Sequence, residues 1–172
     1  MSTIVSFGEV LMRLSPSNYE RIIQSQMFEA RYSGAEANVA TSLAYYGDKV
    51  RFISKFPDNV LGEAAENSIR HFGVDTSYCV KGGERLGTYY TEKGASQRAS
   101  TVLYDRKGSS FALSTKQEYN WKEIFKIVSG STSLVLTLPL VKMSLRHAWK
   151  HVRLPRKWVL LFAWISITAP NS

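Results

Sequence analysis

The chain has 172 residues, 44% hydrophobic and 21% charged, a balance that suits a packed globular domain and excludes a disordered chain. Its single cysteine, Cys79, excludes an intrachain disulfide framework and suits a reducing compartment. The net charge of +8 invites a nucleic-acid reading, but all 14 acidic residues lie at or before Glu123: residues 1–123 carry only +1, and the last 49 carry +7.

Thr3–Glu9 reads as a buried first strand, with Gly8 at its carboxyl end where a ligand or a close backbone can sit. Val10–Leu14 alternates as a second, half-exposed strand. Ser15-Pro-Ser-Asn18 is a turn, and Arg21–Tyr32 holds short strand fragments around Ile22-Ile23 and Met27-Phe28. A tight loop on Gly34 then opens into a helix of small residues from about Glu36 to Tyr46, stopped by Gly47. Gly34 permits backbone angles and a close approach that a side chain would forbid. The free N–H groups of the first helical turn favour an anion or the oxygens of a polar ligand, and Asn38, one turn in, can aim its amide at the same place. An ordinary capped helix after a turn would read the same way. Val39, Leu43 and Tyr46 make the expected packing stripe, while Ala37, Ala40 and Ala44 permit close approach to a sheet.

Lys49–Ser54 is the next strand. Asp58-Asn59 precedes a helix from about Val60 to Phe72, closed by Gly73, and Thr76–Val80 is a further short strand. This rhythm with short connections predicts an α/β fold with parallel strands. After Gly82-Gly83 the rhythm breaks, and two strands follow without a helix between them, Gly87–Thr91 and Ser100–Arg106. They predict an antiparallel ribbon projecting from the α/β body, either a lid over a ligand or a dimer contact. Ser114 is the expected N-terminal signal of a helix ending near Lys126.

The tail from about residue 127 is different in kind. Ser131–Val141 is apolar but holds Pro139. Trp158–Ile167 is an uncharged run far shorter than the about 20 residues a membrane helix needs. His147, His151, Arg153, Arg156 and Lys157 form a basic cluster, and the His147/His151 pair lacks a third metal ligand nearby, so no metal site is expected.

Gly8-Glu9, Ser33-Gly-Ala-Glu-Ala-Asn-Val-Ala40, Pro57-Asp-Asn-Val-Leu-Gly62 and Tyr104-Asp-Arg106 together resemble the N-terminal half of the ribokinase-like (PfkB) carbohydrate kinases over roughly residues 3–126. Within that family the likeness is to the 2-keto-3-deoxygluconate kinases, then to the fructokinases. The resemblance implies a three-layer α/β/α body with a small β lid (strands within about 10–32 and 86–107), incomplete after about residue 126. It implies ATP-dependent phosphorylation of a sugar or sugar-acid hydroxyl, with ATP and Mg²⁺ as cofactors of the complete enzyme and none expected for this chain alone. Gly34 and Asn38 would hold sugar hydroxyls, Tyr89 and Tyr104 would wall the sugar, and Arg106 would face the acid carboxylate. Read without the family, the two tyrosines fit sheet packing and Arg106 a solvated charge.

Two small departures stand out: Ser33 replaces a frequent Gly or Ala, and Pro57 replaces a frequent Gly. A larger one lies downstream. The family's catalytic base sits in a Gly-Ala-Gly-Asp type motif, and here there is no Gly-x-Gly-Asp and no Asp after Asp105. The expectation is therefore a substrate-side half without catalytic residues, inactive by itself, with the reading frame lost near residue 127 and 127–172 a separate basic tail. An exposed sheet edge prone to aggregation follows from such a cut. The expected partners are a sugar acid or sugar and a second copy through the lid strands, without nucleic acid or membrane, and the absence of a basic secretory start suggests the cytoplasm. Alternatives are a binding or structural protein and, less favoured, a tail-driven nucleic-acid or membrane-surface binder.

Overall fold

A computed structural model describes residues 3–126, 133–136 and 159–161, with side chains up to Ile124. In chain order the elements are β1 (Thr3–Phe7), β2 (Leu11–Pro16), β3 (Phe28–Ser33), α1 (Ala35–Tyr45), β4 (Lys49–Ile53), β5 (Lys55–Phe56), α2 (Val60–Arg70), β6 (Val80–Lys81), β7 (Thr88–Glu92), β8 (Thr101–Asp105), α3 (Trp121–Lys126), β9 (Ser133–Leu136) and β10 (Val159–Leu161). A short 3-10 turn, Lys116–Glu118, precedes α3.

Two four-stranded sheets organise these elements. The body sheet runs β10-β9-β1-β4 with every pairing parallel, and the lid sheet runs β3-β2-β7-β8. In the lid, β2 pairs antiparallel with β3 and parallel with β7, and β7 pairs antiparallel with β8. The expected ribbon is thus the outer half of a wider sheet. Beyond residue 126, Val5 lies opposite Leu134 and Ser133 opposite Val159, so two strands carry the sheet past β1. His147, His151, the rest of the basic cluster and most of the Trp158–Ile167 run lie outside the described residues.

Alternate residues of a strand face opposite sides, and the body uses both. Val50 and Phe52 of β4 join Ala37, Ala40, Ala65 and Ile69 in one core, between the sheet and α1 and α2. Val5, Phe7 and Ile53 join Phe111, Tyr119 and Ile124 in a second core on the other side. Helices and sheet therefore stack as three layers. Cys79 is packed against the first core, where burial pushes its thiol up to about 12.

Local differences from the sequence reading have simple causes. Ala37 and Ala40 are the buried apolar residues of α1 and Leu43 and Ala44 pack against the same core, whereas Tyr46 is 82% exposed, so the small-residue face with Leu43 meets the sheet and Tyr46 does not. Small side chains bring the helix axis closer than a bulky stripe would. The Asn59 side chain accepts hydrogen bonds from the Leu61 and Gly62 N–H groups and caps α2. Ile22-Ile23 forms no strand, because residues 17–24 are turns and β3 begins only at Phe28. Of Thr76–Val80, only Val80 enters a strand, paired with β5, since Asp75 already bridges to Arg51. Ser114 donates its hydroxyl to Phe111 O rather than capping a helix, and the Glu118 carboxylate accepts from Thr115 N at the start of the 3-10 turn.

Candidate functional site

Only Gly8, Glu9 and Val10 separate β1 of the body from β2 of the lid, and the site is built on this joint. A Cβ on Gly8 would collide with the side chain of Glu36, which is buried in the first turn of α1. One on Gly34 would collide with the carbonyl oxygen of Glu9. Gly34 itself is extended, with φ of −166°, a conformation any residue adopts. The glycine is required for close approach and not for its backbone angles, which corrects half of the sequence argument. Asn38 donates its N–H to Gly34 O at 2.8 Å in the regular helical way; it is exposed, and its side-chain amide has no hydrogen-bond partner among the described residues.

The lid strands bring the other candidates to the same joint. Tyr89 lies opposite Arg13 on one side and Tyr104 on the other. The two tyrosine rings stack with centroids 5.6 Å apart and planes 27° from parallel. The Tyr89 hydroxyl is 2.5 Å from Ser33 Oγ, which ties β7 to the residue just before Gly34. Arg106, one residue past β8, places Nη2 2.6 Å from Glu9 Oε2. Ser109 donates its hydroxyl to Glu9 Oε1 at 2.5 Å and accepts the N–H of Ala112 at 3.1 Å. Gly87 leaves room for this arrangement, because a Cβ there would stand 2.6 Å from Leu11 Cδ2 and 2.7 Å from Glu9 Oε1.

Glu9 is therefore the hub of the site, and the sequence reading saw it only as part of a motif. Its side chain is 4% exposed. Burial pushes its carboxyl above the usual carboxylate range and the nearby Glu36 adds to that push, while Arg106 and Ser109 pull the other way. An acid at the end of an otherwise apolar strand was the available signal, since buried carboxylates are rare unless paired. Gly34, Tyr89, Tyr104 and Arg106 converge through Ser33, Glu9 and ring stacking; Asn38 sits on the neighbouring helix turn, exposed and with no hydrogen bond to a lid side chain among the described residues. Arg13, flanked by Tyr89, was also passed over.

Among the described residues no group of three or more His, Cys, Asp or Glu is placed to hold a metal ion, and no helix is long and apolar enough to cross a membrane. What the site offers is a small-residue backbone cradle, two stacked phenols and guanidinium groups, chemistry suited to a polyhydroxylated ligand with an anionic end.

Residues 1–145 match the profile of the pfkB family of carbohydrate kinases. The chain belongs to this family. It is 36% identical over 115 residues to the 2-dehydro-3-deoxygalactonokinase of Haloferax volcanii, covering 67% of this chain and 36% of that one. The crystal structure of 2-dehydro-3-deoxygluconokinase from Thermotoga maritima superimposes with a TM-score of 0.79 at 41% identity, over 87% of this chain and 47% of that one. An uncharacterized sugar kinase from Pyrococcus horikoshii, solved in complex with ATP, shares the fold with a TM-score of 0.76 at 23% identity, over 92% of this chain and 52% of that one. The PfkB chain described here thus spans about half, or less, of the length of these relatives. Its lid-and-body arrangement is the ribokinase-like α/β fold.

Proposed function

We propose that this chain is the substrate-holding half of an ATP-dependent sugar-acid kinase of the 2-keto-3-deoxygluconate type. The observation that supports this most is the convergence of Tyr89, Tyr104 and Arg106 on the Gly34 cradle through Ser33 and Glu9. Gly34 and the first turn of α1 would present backbone N–H groups to sugar hydroxyls, with Asn38 adding an exposed amide from the next turn. The tyrosines would wall the ring or chain and exclude water. The guanidinium nitrogens of Arg106 not held by Glu9 would meet the carboxylate. Isothermal titration of the 172-residue chain with 2-keto-3-deoxygluconate tests the reading; saturable binding lost in Tyr104→Ala is expected, and absence of binding would refute it.

Transfer itself needs groups that the described residues do not offer. ATP would supply the phosphoryl group and Mg²⁺ would neutralise its charge. The described residues hold no carboxylate cluster fit for Mg²⁺, and the whole sequence holds no Gly-x-Gly-Asp, so no transfer step is assigned to these residues. A coupled ADP-release assay on the 172-residue chain is expected to stay at the no-protein background. The loss of every acid after Glu123 favours a change of reading frame near residue 127, whereas the family match to residue 145 and the pairing of β9 favour a later boundary. The coding DNA decides between them.

A fructokinase-like reading has one observation in its favour: Glu9 already neutralises Arg106, which suits an uncharged sugar. Competition between fructose and the sugar acid separates the two. Val102, Leu103 and Tyr104 leave β8 an exposed apolar edge strand, which supports self-association through the lid, and sedimentation of the chain reads it directly.

A further inference from the structure

Glu9 lies buried at the joint between body and lid, and its charge depends on one cation. Its Oε1 accepts the Ser109 hydroxyl at 2.5 Å, and its Oε2 lies 2.6 Å from Arg106 Nη2. Among the described residues Arg106 is the only Lys or Arg within ion-pair distance of Glu9, and Glu9 is the only carboxylate within ion-pair distance of Arg106. The other groups that face Glu9 do not neutralise it. Glu36 of α1, buried against Gly8, has the same sign and opposes the Glu9 charge. Arg85, ahead of β7, feels that charge, but its guanidinium is committed to the Asp105 carboxylate at 2.9 Å and 3.2 Å. Tyr119, ahead of α3, feels it too and stays a neutral phenol, because burial pushes its hydroxyl well above the ordinary value.

An anionic ligand on Arg106 would place a second carboxylate on this one guanidinium. Two like charges sharing a site closed to water do not both stay ionised, and the more deeply buried of two carboxyl groups takes the proton. A 2-keto acid is a stronger acid than a glutamic side chain, so Glu9 is the group that protonates and the ligand keeps its charge. Burial already pushes the Glu9 carboxyl upward, and the main pull the other way comes from Arg106, the group that the ligand would share. An uncharged sugar brings no second carboxylate and leaves the Glu9–Arg106 pair as it stands.

We propose that this site binds a sugar acid together with a proton, taken from solvent by the Glu9 carboxyl group, so that Glu9 is a positioning residue that releases Arg106 to the anion. The inference rests on the sugar-acid reading above and adds a regulation of that site. Acid binding strengthens as pH falls while fructose binding does not, so pH sets the preference between a charged and an uncharged ligand. The Glu9–Arg106 pair, which by itself favours an uncharged sugar, then becomes the device that admits an acid.

The test is isothermal titration of the 172-residue chain with 2-keto-3-deoxygluconate and with fructose, in buffers of low and high ionisation enthalpy, which counts the protons exchanged on binding. Between about pH 5.5 and 8 the acid should bind with uptake approaching about one proton, and its affinity should fall by up to about tenfold per pH unit. Fructose should bind with no uptake. Glu9→Gln, neutral at every pH, should abolish the uptake and bind the acid at the alkaline end at least as tightly as the parent, whereas loss of a merely structural residue would weaken binding at every pH. Glu36→Gln should keep the uptake. Acid binding by the parent without uptake, or uptake equal for acid and fructose, overturns the proposal and leaves the sugar-acid reading intact. Uptake that persists in Glu9→Gln or vanishes in Glu36→Gln assigns the proton elsewhere and overturns it as well, as does weakened acid binding at every pH in a folded Glu9→Gln. Should Glu9→Gln fail to fold, the buffer series on the parent decides by itself. A parent chain that does not bind the acid overturns both readings.

Discussion

The body and the lid of this molecule are stabilised by opposite means. In the body, Phe52 and Ile53 are fully buried and packed among apolar neighbours, and the stabilisation comes from area removed from water. On the lid, Val102, Leu103 and Tyr104 are exposed, and cohesion comes from strand pairing and a few specific contacts: Ser15 with Thr91, Ser33 with Tyr89, Glu9 with Arg106. A region held by area tolerates changes that conserve volume. A region held by pairs tolerates changes that conserve partners, and its surface remains available to a ligand.

The sharpest way to break this contrast is truncation on each side. Phe52→Ala should cost about 3–5 kcal/mol and leave little folded protein in a urea titration, whereas Tyr104→Ala on the lid should cost under about 1 kcal/mol. Similar losses at the two positions would show that lid and body are one cooperative core. Gly34→Ala comes next, because its methyl group meets the Glu9 carbonyl and either α1 or the joint must shift. About 1–3 kcal/mol of stability and most ligand affinity should go together, read by denaturant midpoint and titration on the same samples. Tyr89→Phe removes one hydroxyl pair with Ser33 and should cost about 0.5–1.5 kcal/mol. No change at all would mean that ring stacking on Tyr104 alone positions Tyr89.

The smallest effect expected is in pH dependence, where the Glu9 carboxyl at the joint and the paired carboxylates of the body act with opposite signs. The Glu9 carboxyl is raised in the folded protein, so its contribution to stability is fully present below its ordinary value of 4.5 and is lost as pH rises through the higher folded value. Asp75, paired with Arg51, and Glu66, paired with Lys81, are lowered despite burial, so their contributions are present above their ordinary values and lost on acidification below them. Chemical-denaturation midpoints between pH 7 and pH 4.5 should therefore rise slightly, and Glu9→Gln should flatten that rise. A rise that survives the substitution would assign it to another group.

Much of the body was legible in the sequence because its elements follow local rules. Apolar runs at Thr3–Phe7 and Lys49–Ile53 marked the strands, Asn59 marked the start of α2, and Gly47 and Gly73, with φ of +95° and +84°, marked the ends of both helices. The lid strands were legible as strands for the same reason. Their partners were not, since β2 pairs with β7 across more than 70 residues and nothing local encodes that choice. The same distance hid the centre of the site. Arg106 announced itself through its motif, but its ion pair with Glu9, nearly 100 residues away, is a fact of register and burial that one-dimensional periodicity does not carry.

The chain also carries its own chemical stopwatch. Cys79 is its only cysteine, and the Sγ donates to the Phe52 carbonyl at 3.3 Å with its thiol held protonated far above neutrality. The thiolate is the species that alkylating reagents attack, so the folded protein should resist iodoacetamide and react only when β4 and its covering segment separate. Labelling rate at a single atom then counts openings of the body sheet, without any introduced probe and without interference from a second thiol.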